Sequence, residues 1–110
     1  MPLIVLAIDG TLHPLNTVLD TGFTGELTLP PALIANLGLS YVTHQRVVLA
    51  DGGAYRVRVY TADILWGDDQ RTILVHASDG GALIGMRLLQ GHQVVLNVVD
   101  GGDVIVIPLP

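Results

Sequence analysis

The residues best suited to chemistry are an acid, a hydroxyl and a glycine in succession: Asp20, Thr21 and Gly22. They follow Val18 and Leu19, so the acid comes directly after a short apolar run of the kind that forms a buried strand. An ionised carboxylate at such a place needs hydrogen-bond donors around it. The Gly22 amide can approach the carboxylate closely, because glycine has no Cβ in the way. Asp20 is therefore the candidate reactive group.

Two further segments accompany this acid at wide spacing. Leu83-Ile84-Gly85 follows it after roughly sixty residues, and the glycine-rich Asp51-Gly52-Gly53 lies between the two. Each segment also has an ordinary explanation when it is taken alone. Asp20-Thr21-Gly22 is compatible with an Asx-type turn that caps a loop. Asp51-Gly52-Gly53 is typical of a simple hairpin, and Leu83-Ile84-Gly85 of core followed by a turn.

In this order the segments resemble the retropepsin branch of the aspartic peptidases, including its small bacterial members. Leu19-Asp20-Thr21-Gly22 is similar to the Asp-Thr-Gly signature of that family. Residues 82–85 and the following 86–89 are similar to its hydrophobic-hydrophobic-Gly element and short helix, and 50–54 stand where the family carries its flap hairpin. The resemblance runs from residue 3 to about residue 99. It departs at Phe23, where small residues are usual, so viral substrate preferences are not carried over.

The resemblance implies one domain over residues 1–110 with an all-β, mainly antiparallel fold. We expect a closed retropepsin-like acid-protease barrel with one or two short helices. The implied activity is that of an aspartic endopeptidase, in which two Asp20 carboxylates, one from each subunit of a homodimer, activate a water to hydrolyse a peptide bond. A second Asp-Thr-Gly is not present, since Asp51, Asp79 and Asp100 each precede Gly-Gly. Two like charges so close together share one proton.

The same resemblance implies roles for the neighbouring residues. Thr21 would hydrogen-bond across the dimer axis, and Gly22 would donate its amide and leave room for substrate. Ile84 and Gly85 would pack against the loop of Asp20. The expected flap and substrate-binding residues are Asp51, Gly52 and Gly53.

Two other functions stay open at this point. The first is a catalytically silent dimer of the same fold that binds peptides as a scaffold, because fold alone does not guarantee activity. The second is a processing enzyme that cleaves one dedicated partner protein and leaves generic peptides intact. Comparing a panel of unrelated peptides with candidate partners separates the dedicated enzyme from a general peptidase.

The composition and net charge of the chain limit the classes of molecule that it is expected to bind. Half of the 110 residues are hydrophobic and 14% are charged, which favours a folded domain over a disordered chain. The net charge of −5, with scattered arginines and no lysine, argues against nucleic acid and against an acidic membrane surface. The apolar runs are too short to cross a bilayer. We therefore expect a homodimer with a peptide or protein substrate, and neither nucleic acid nor membrane as a partner.

Cysteine and histidine usage completes the expectations. The chain has no cysteine, which fits a cytoplasmic location, and its first residues lack the basic start of a secretory signal. The histidines, His13, His44, His76 and His92, lie far apart and lack metal-ligand spacing. We expect no metal and no cofactor.

The elements that must position Asp20 are short strands separated by Asp-Gly turns. Asp-Gly favours tight hairpins because glycine tolerates a positive φ, and such pairs begin at Asp9, Asp51, Asp79 and Asp100. Residues 55–60 alternate polar and apolar side chains, as a strand with one wet face does. We predict strands over 3–8, 17–19, 47–49, 55–65, 72–76, 94–99 and 104–107, and short helices over 30–38 and 86–90.

Overall fold

Strands dominate the structure, a computed structural model that describes residues 1–48 and 51–110. Of the residues, 54% are in strands and 10% in helices, so the expectation of a mainly β chain holds. In chain order the elements are β1 (Pro2–Leu6), β2 (Leu12–Asn16), β3 (Val18–Leu19), β4 (Leu27–Leu29), α1 (Pro31–Leu37), β5 (Ser40–Val48), β6 (Ala54–Trp66), β7 (Asp69–Ala77), β8 (Leu83–Ile84), α2 (Met86–Leu89), β9 (His92–Leu96) and β10 (Val104–Pro108).

One sheet contains most of these strands. Its order is β2-β1-β6-β7-β4-β8-β3, and β5 pairs with β6 outside that path. The long strand β6 pairs with β7 along one edge. Along its other edge it pairs first with β5 and then, nearer its end, with β1. Strands β9 and β10 form a separate antiparallel pair. The hairpin of β5 and β6 therefore extends from the body of the sheet as an arm.

The prediction of a closed, retropepsin-like barrel is wrong. Most strand pairs are antiparallel, as expected, but the sheet is mixed, because β3 pairs with β8 and β4 pairs with β7 in parallel. It is also open, because β2 and β3 stand at its two ends and do not pair with one another in the described part of the chain. Closure needs a continuous ladder between the first and last strands. Here the last strand is only two residues long and offers little edge for one.

Strand β8 has the placement that matters most for the site. It lies between β3 and β4, with Leu19 paired to Ile84 on one side and Leu27 paired to Ile84 on the other. The two strands that flank residues 20–26 are thus separated by a strand from the far end of the chain. Asp20 and Ile84 become neighbours in this way.

The predictions that depend on a few neighbouring residues, namely the first helix and most of the Asp-Gly turns, agree with the structure. The helix predicted over 30–38 is confirmed as α1, with Pro31 in its first turn and Gly38 at φ 67° after its end. Asp-Gly pairs close the β1–β2, β5–β6 and β9–β10 hairpins, whereas the pair at Asp79 joins strands that do not pair with each other. Strands β2, β4 and β8 were not predicted. Of the strand predicted over 47–49 and the flap segment 50–54, Leu49 and Ala50 lie outside the described residues.

The hydrophobic core is built from side chains of β1, β4, β6, β7, β8 and both helices. Short apolar runs fill it because alternate residues of β1, β6 and β7 point inward. In the described part of the chain, no helix has both the length and the apolar character needed to cross a membrane. The fully buried large side chains are Val5, Leu27, Leu29, Leu37, Val59, Ile64, Val75, Ile84 and Leu88.

Candidate active site

Asp20 stands immediately after β3, where its side chain is half-buried. Its amide donates to the Ile84 carbonyl at 2.9 Å, and its Oδ1 accepts a hydrogen bond from the Gly22 amide at 2.9 Å. Asp9 and Asp51 accept from the amide two residues ahead in the same way. The contact with Gly22 is therefore the one that an ordinary Asx turn also makes, and it does not by itself mark a reactive group.

A clamp from the distant residues 84–87 sets this loop apart from a simple turn. Besides the bond from Asp20 to Ile84, the Gly85 amide donates to the Glu26 carbonyl at 3.0 Å. The amides of Met86 and Arg87 donate to the carbonyls of Phe23 and Gly25 at 2.8 and 3.1 Å. A local Asx turn needs no such support. The loop of Asp20 is thus fixed along most of its length by backbone hydrogen bonds.

The clamp depends on close backbone approach at Gly85. A Cβ at this position would lie 2.2 Å from the Gly25 carbonyl oxygen and 2.5 Å from Phe23 Cδ2. A Cβ on Gly25 would lie 2.5 Å from Phe23 Cζ. Phe23 therefore packs over two glycines, and this is how the chain accommodates a large ring where its resemblance suggests a small residue.

Thr28 ties β8 to the site and was not singled out from the sequence. It is buried, its Oγ1 donates to the Gly81 carbonyl at 2.8 Å, and the same oxygen accepts from the Leu83 amide at 3.0 Å. One hydroxyl thereby satisfies a donor and an acceptor of the turn that leads into β8. The indication in the sequence that Thr28 is buried and hydrogen-bonded was its hydroxyl side chain between the apolar Leu27 and Leu29.

A cavity of about 620 Å³ opens beside the loop. Gly22 and Phe23 contribute to its wall, but Asp20 itself does not. The β5–β6 arm also lines the cavity, so a molecule that filled it would contact both the loop and the arm. Its other lining residues are Thr24, Gly25, Glu26, Thr28, Gln45, Val47, Val57, Leu74, His76, Ala77, Ser78 and Arg87.

His76 joins the arm to the body of the sheet. Its Nε2 lies 2.9 Å from Gln45 Oε1 on β5, and its ring meets that of Phe23 edge-on with centroids 5.6 Å apart. Burial lowers the pKa of His76, and the negative charge of Glu26 offsets part of this effect. A neutral ring that donates from Nε2 leaves Nδ1 as an acceptor, and Nδ1 is buried without a partner in the described structure. Its role in the cavity was not foreseen from the sequence.

The predicted flap residues occupy the tip of the arm. Asp51 Oδ1 accepts from the Gly53 amide at 2.7 Å, and Gly52 has φ 84°, as a tight hairpin requires. No hydrogen bond among the described residues connects this tip to the loop of Asp20. The structure therefore brings together Asp20, Gly22, Ile84 and Gly85, and leaves Asp51, Gly52 and Gly53 apart from them.

Thr21 stands exposed beside Asp20, and its hydroxyl makes no hydrogen bond to the described residues of its own chain. Within residues 1–48 and 51–110, no group of three or more His, Asp or Glu side chains is arranged to hold a metal ion.

No model of a known protein family matches the chain, and a comparison with curated proteins also finds no match. The residues around Asp20 are therefore the basis on which a function is assigned to this chain.

Proposed function

We propose that this chain is one subunit of a homodimeric aspartic endopeptidase of the retropepsin type. The observation that carries the proposal is the clamped loop: the segment Ile84–Arg87 fixes residues 20–26, while the Asp20 carboxylate stays half-buried at their start. A reactive acid needs fixed geometry together with access to substrate. The adjoining cavity has the size expected of a pocket for a small ligand or a few side chains.

The proposed chemistry needs two copies of Asp20 across one water. The ionised carboxylate takes a proton from the water, whose oxygen attacks the peptide carbonyl carbon. The protonated carboxylate gives its proton to the carbonyl oxygen, forming a tetrahedral diol. The carboxylate that took the water proton then gives it to the amide nitrogen, while the other takes a proton from a diol hydroxyl. The C–N bond breaks, an amine and a carboxylic acid leave, and the two carboxylates again share one proton. A chain with one such loop supplies one acid, so the second comes from a partner copy.

Neighbouring residues have supporting roles in this proposal. The exposed Thr21 hydroxyl is free to hydrogen-bond to the partner loop across the axis. The Gly22 amide holds one Asp20 oxygen at 2.9 Å and so leaves the other oxygen for water. The arm with Asp51, Gly52 and Gly53 at its tip would close over an extended peptide. The proposal includes a cytoplasmic location, in keeping with a chain without cysteine, and no metal or cofactor.

A second candidate function is a dimer of this fold that binds peptides without cutting them. The cavity favours this candidate, because its wall includes Gly22 and Phe23 but not Asp20. A peptide could occupy the space between arm and loop without meeting a carboxylate.

The test compares wild type, Asp20→Asn and Asp68→Asn on a diverse peptide library from acid to neutral pH, because a pair that shares one proton gives a bell-shaped pH profile. Asparagine keeps an oxygen that accepts from the Gly22 amide, so Asp20→Asn should stay folded. Asp68 lies exposed in the β6–β7 turn and serves as the matched acid control.

Cleavage by wild type and Asp68→Asn that disappears in Asp20→Asn is the expected result. Equal cleavage by Asp20→Asn would refute the aspartic mechanism. Peptides that bind saturably to wild type and stay intact would favour the scaffold. Cleavage confined to one protein substrate, with the library untouched, would identify a dedicated processing enzyme.

A further inference from the structure

The cavity beside the Asp20 loop has an anchored negative charge in its wall. Glu26 is half-buried there, directly before β4, and its Oε1 accepts a hydrogen bond from the Leu74 amide at 3.1 Å. Leu74 directly precedes the first residue of β7 that pairs with β4, so the carboxylate continues the contact between these two strands. The Glu26 side chain is therefore held against the sheet.

This carboxylate has capacity left for a ligand. A carboxylate can accept about four hydrogen bonds, and that of Glu26 accepts one from the described residues of the chain. Water and salt screen a half-buried charge less than an exposed one. Hydrogen bonds between an anion and a cationic donor are also the stronger kind. Glu26 can thus attract a cationic group into the cavity and hold it there.

The rest of the wall fits the stem of a basic side chain. Val47 and Val57 of the arm and Leu74 of β7 provide apolar surface. Phe23 adds an aromatic ring, which can receive a cation on its face. Lysine and arginine have CH₂ stems that pack along apolar surface and a charged head that pairs with a carboxylate. Apolar wall, ring and carboxylate together are complementary to such a side chain.

Two other groups of the wall could oppose a cation, and neither outweighs Glu26. Burial lowers the pKa of His76, and the charge of Glu26 offsets only part of this effect, so the ring is largely uncharged at neutral pH. Arg87 is exposed at the beginning of α2, where solvent and salt screen its charge. The anchored carboxylate therefore gives the cavity a preference for a positive ligand.

We infer that this cavity selects an arginine or lysine side chain of the bound peptide, and that Glu26 is the residue that determines the preference. The inference rests on the proposed function and deepens it, because the selected peptide is the substrate of Asp20. The stem of the basic residue lies along Val47, Val57 and Leu74, and its head meets Glu26 Oε2. Since Asp20 does not line the cavity, the selected side chain lies beside the reactive carboxylate and not on it.

The net charge of the chain is a competing explanation for any preference of this kind. At −5 the whole protein attracts basic peptides from a distance. That attraction depends on the total charge and weakens with salt, whereas contact with Glu26 is local. The experiment therefore needs a control that removes one acid elsewhere on the surface.

The test begins with Asp20→Asn protein, which should bind peptides and leave them intact. A diverse peptide library is passed over the immobilised protein at about 0.15 M salt, and the retained peptides are sequenced. The dissociation constant of a retained peptide with one arginine is then compared with that of its citrulline analogue, which has a similar shape without the charge.

The same two peptides are measured after a second substitution: Glu26→Gln, Arg87→Gln or Asp68→Asn. Glutamine keeps an oxygen that can accept from the Leu74 amide, so Glu26→Gln should stay folded. Asp68→Asn is the matched control, because it removes the same charge from an exposed turn. Circular dichroism verifies the fold of each variant.

We expect arginine and lysine to be enriched among the retained peptides, and the arginine peptide to bind about tenfold more tightly than its citrulline analogue. Glu26→Gln should remove this difference, Asp68→Asn should preserve it, and Arg87→Gln should preserve or increase it. Retention without basic enrichment, a difference that survives Glu26→Gln, or one that Asp68→Asn removes equally would overturn the inference.

Cleavage by wild type separates this inference from the proposed function. Wild type that cuts library peptides while the arginine and citrulline peptides bind equally would sink the inference alone. Basic peptides that bind through Glu26 and are not cut by wild type would sink the peptidase alone, and the cavity would then belong to a binding module.

Discussion

The close approach at Gly85 allows a quantitative test of how the Asp20 loop is held. Gly85 has φ −99° and ψ 174°, which any L-residue adopts, so alanine there meets no backbone penalty. Its Cβ would nevertheless lie 2.2 Å from the Gly25 carbonyl oxygen, well inside van der Waals contact. The obstruction is backbone that is itself hydrogen-bonded to Arg87, so it cannot give way cheaply. We expect Gly85→Ala to lower the free energy of unfolding by about 3 kcal/mol or more, at the upper end of overpacking costs.

Gly25→Ala should behave differently because its obstruction is a side chain. The Cβ would meet the Phe23 ring at 2.5 and 2.7 Å, and a ring can rotate away or be removed. We expect Gly25→Ala to cost about 1–3 kcal/mol in wild type. In a Phe23→Ala background the cost should fall by roughly 1 kcal/mol or more, as expected for residues in contact. Gly85→Ala should keep most of its cost in that background.

The assay is urea unfolding of the three single and two double variants at one fixed protein concentration, followed by circular dichroism, since an oligomer's apparent stability depends on concentration. Gly80→Ala is the matched control, because its Cβ would meet only Ser78 Oγ at an ordinary 3.4 Å. That variant should stay within about 0.5 kcal/mol of wild type. Gly85→Ala that is as stable as Gly80→Ala would refute the clamp, and equal rescue of both glycine variants by Phe23→Ala would refute the assignment of the two obstructions.

Thr28→Val should lower the free energy of unfolding by about 1–3 kcal/mol, because the Gly81 carbonyl and the Leu83 amide both lose their partner. Thr28→Ser keeps the hydroxyl and should keep most of the stability. Equal urea midpoints for the valine and serine variants would contradict this role of the hydroxyl. Because burial lowers the pKa of His76 from its usual 6.5, the unfolded chain takes up the proton first as the pH falls. The contribution of His76 to the free energy of unfolding is then full above its usual pKa of 6.5 and is lost as the pH falls through the folded pKa. The urea midpoint of wild type should accordingly drop between pH 7.5 and 5, and His76→Gln should reduce that drop; an unchanged pH dependence in His76→Gln would show that another group causes it.

The sequence was most informative where one residue type dictates local geometry. The turns at Asp9, Asp51 and Asp100 follow from glycine beside a small acid, and β6 follows from its alternation of polar and apolar residues. Strand β5 was largely missed because nearly all of its side chains are exposed, which leaves no alternation to detect. Its strand conformation comes from pairing with β6.

Long-range arrangement was the part that local patterns could not provide. The two-residue strands β3 and β8 owe their existence to pairing with segments far away in the chain. The expected closed barrel failed for the same reason, since closure depends on which edges meet. In the site, the Asp-Thr-Gly pattern pointed to Asp20, but the packing of Phe23 over Gly25 and Gly85 depends on a contact made only in the folded chain.

The insertion of β8 between β3 and β4 also sets an order of events during synthesis. Residues 20–26 leave the ribosome long before residues 83–87, which supply the strand and the amides that fix them. Contacts of such wide sequence separation form slowly and late. A nascent chain that ends before residue 83 thus contains Asp20 without the geometry around it. The loop of Asp20 is therefore fixed only after residues 83–87 have been synthesised, and this order follows from the topology of the sheet.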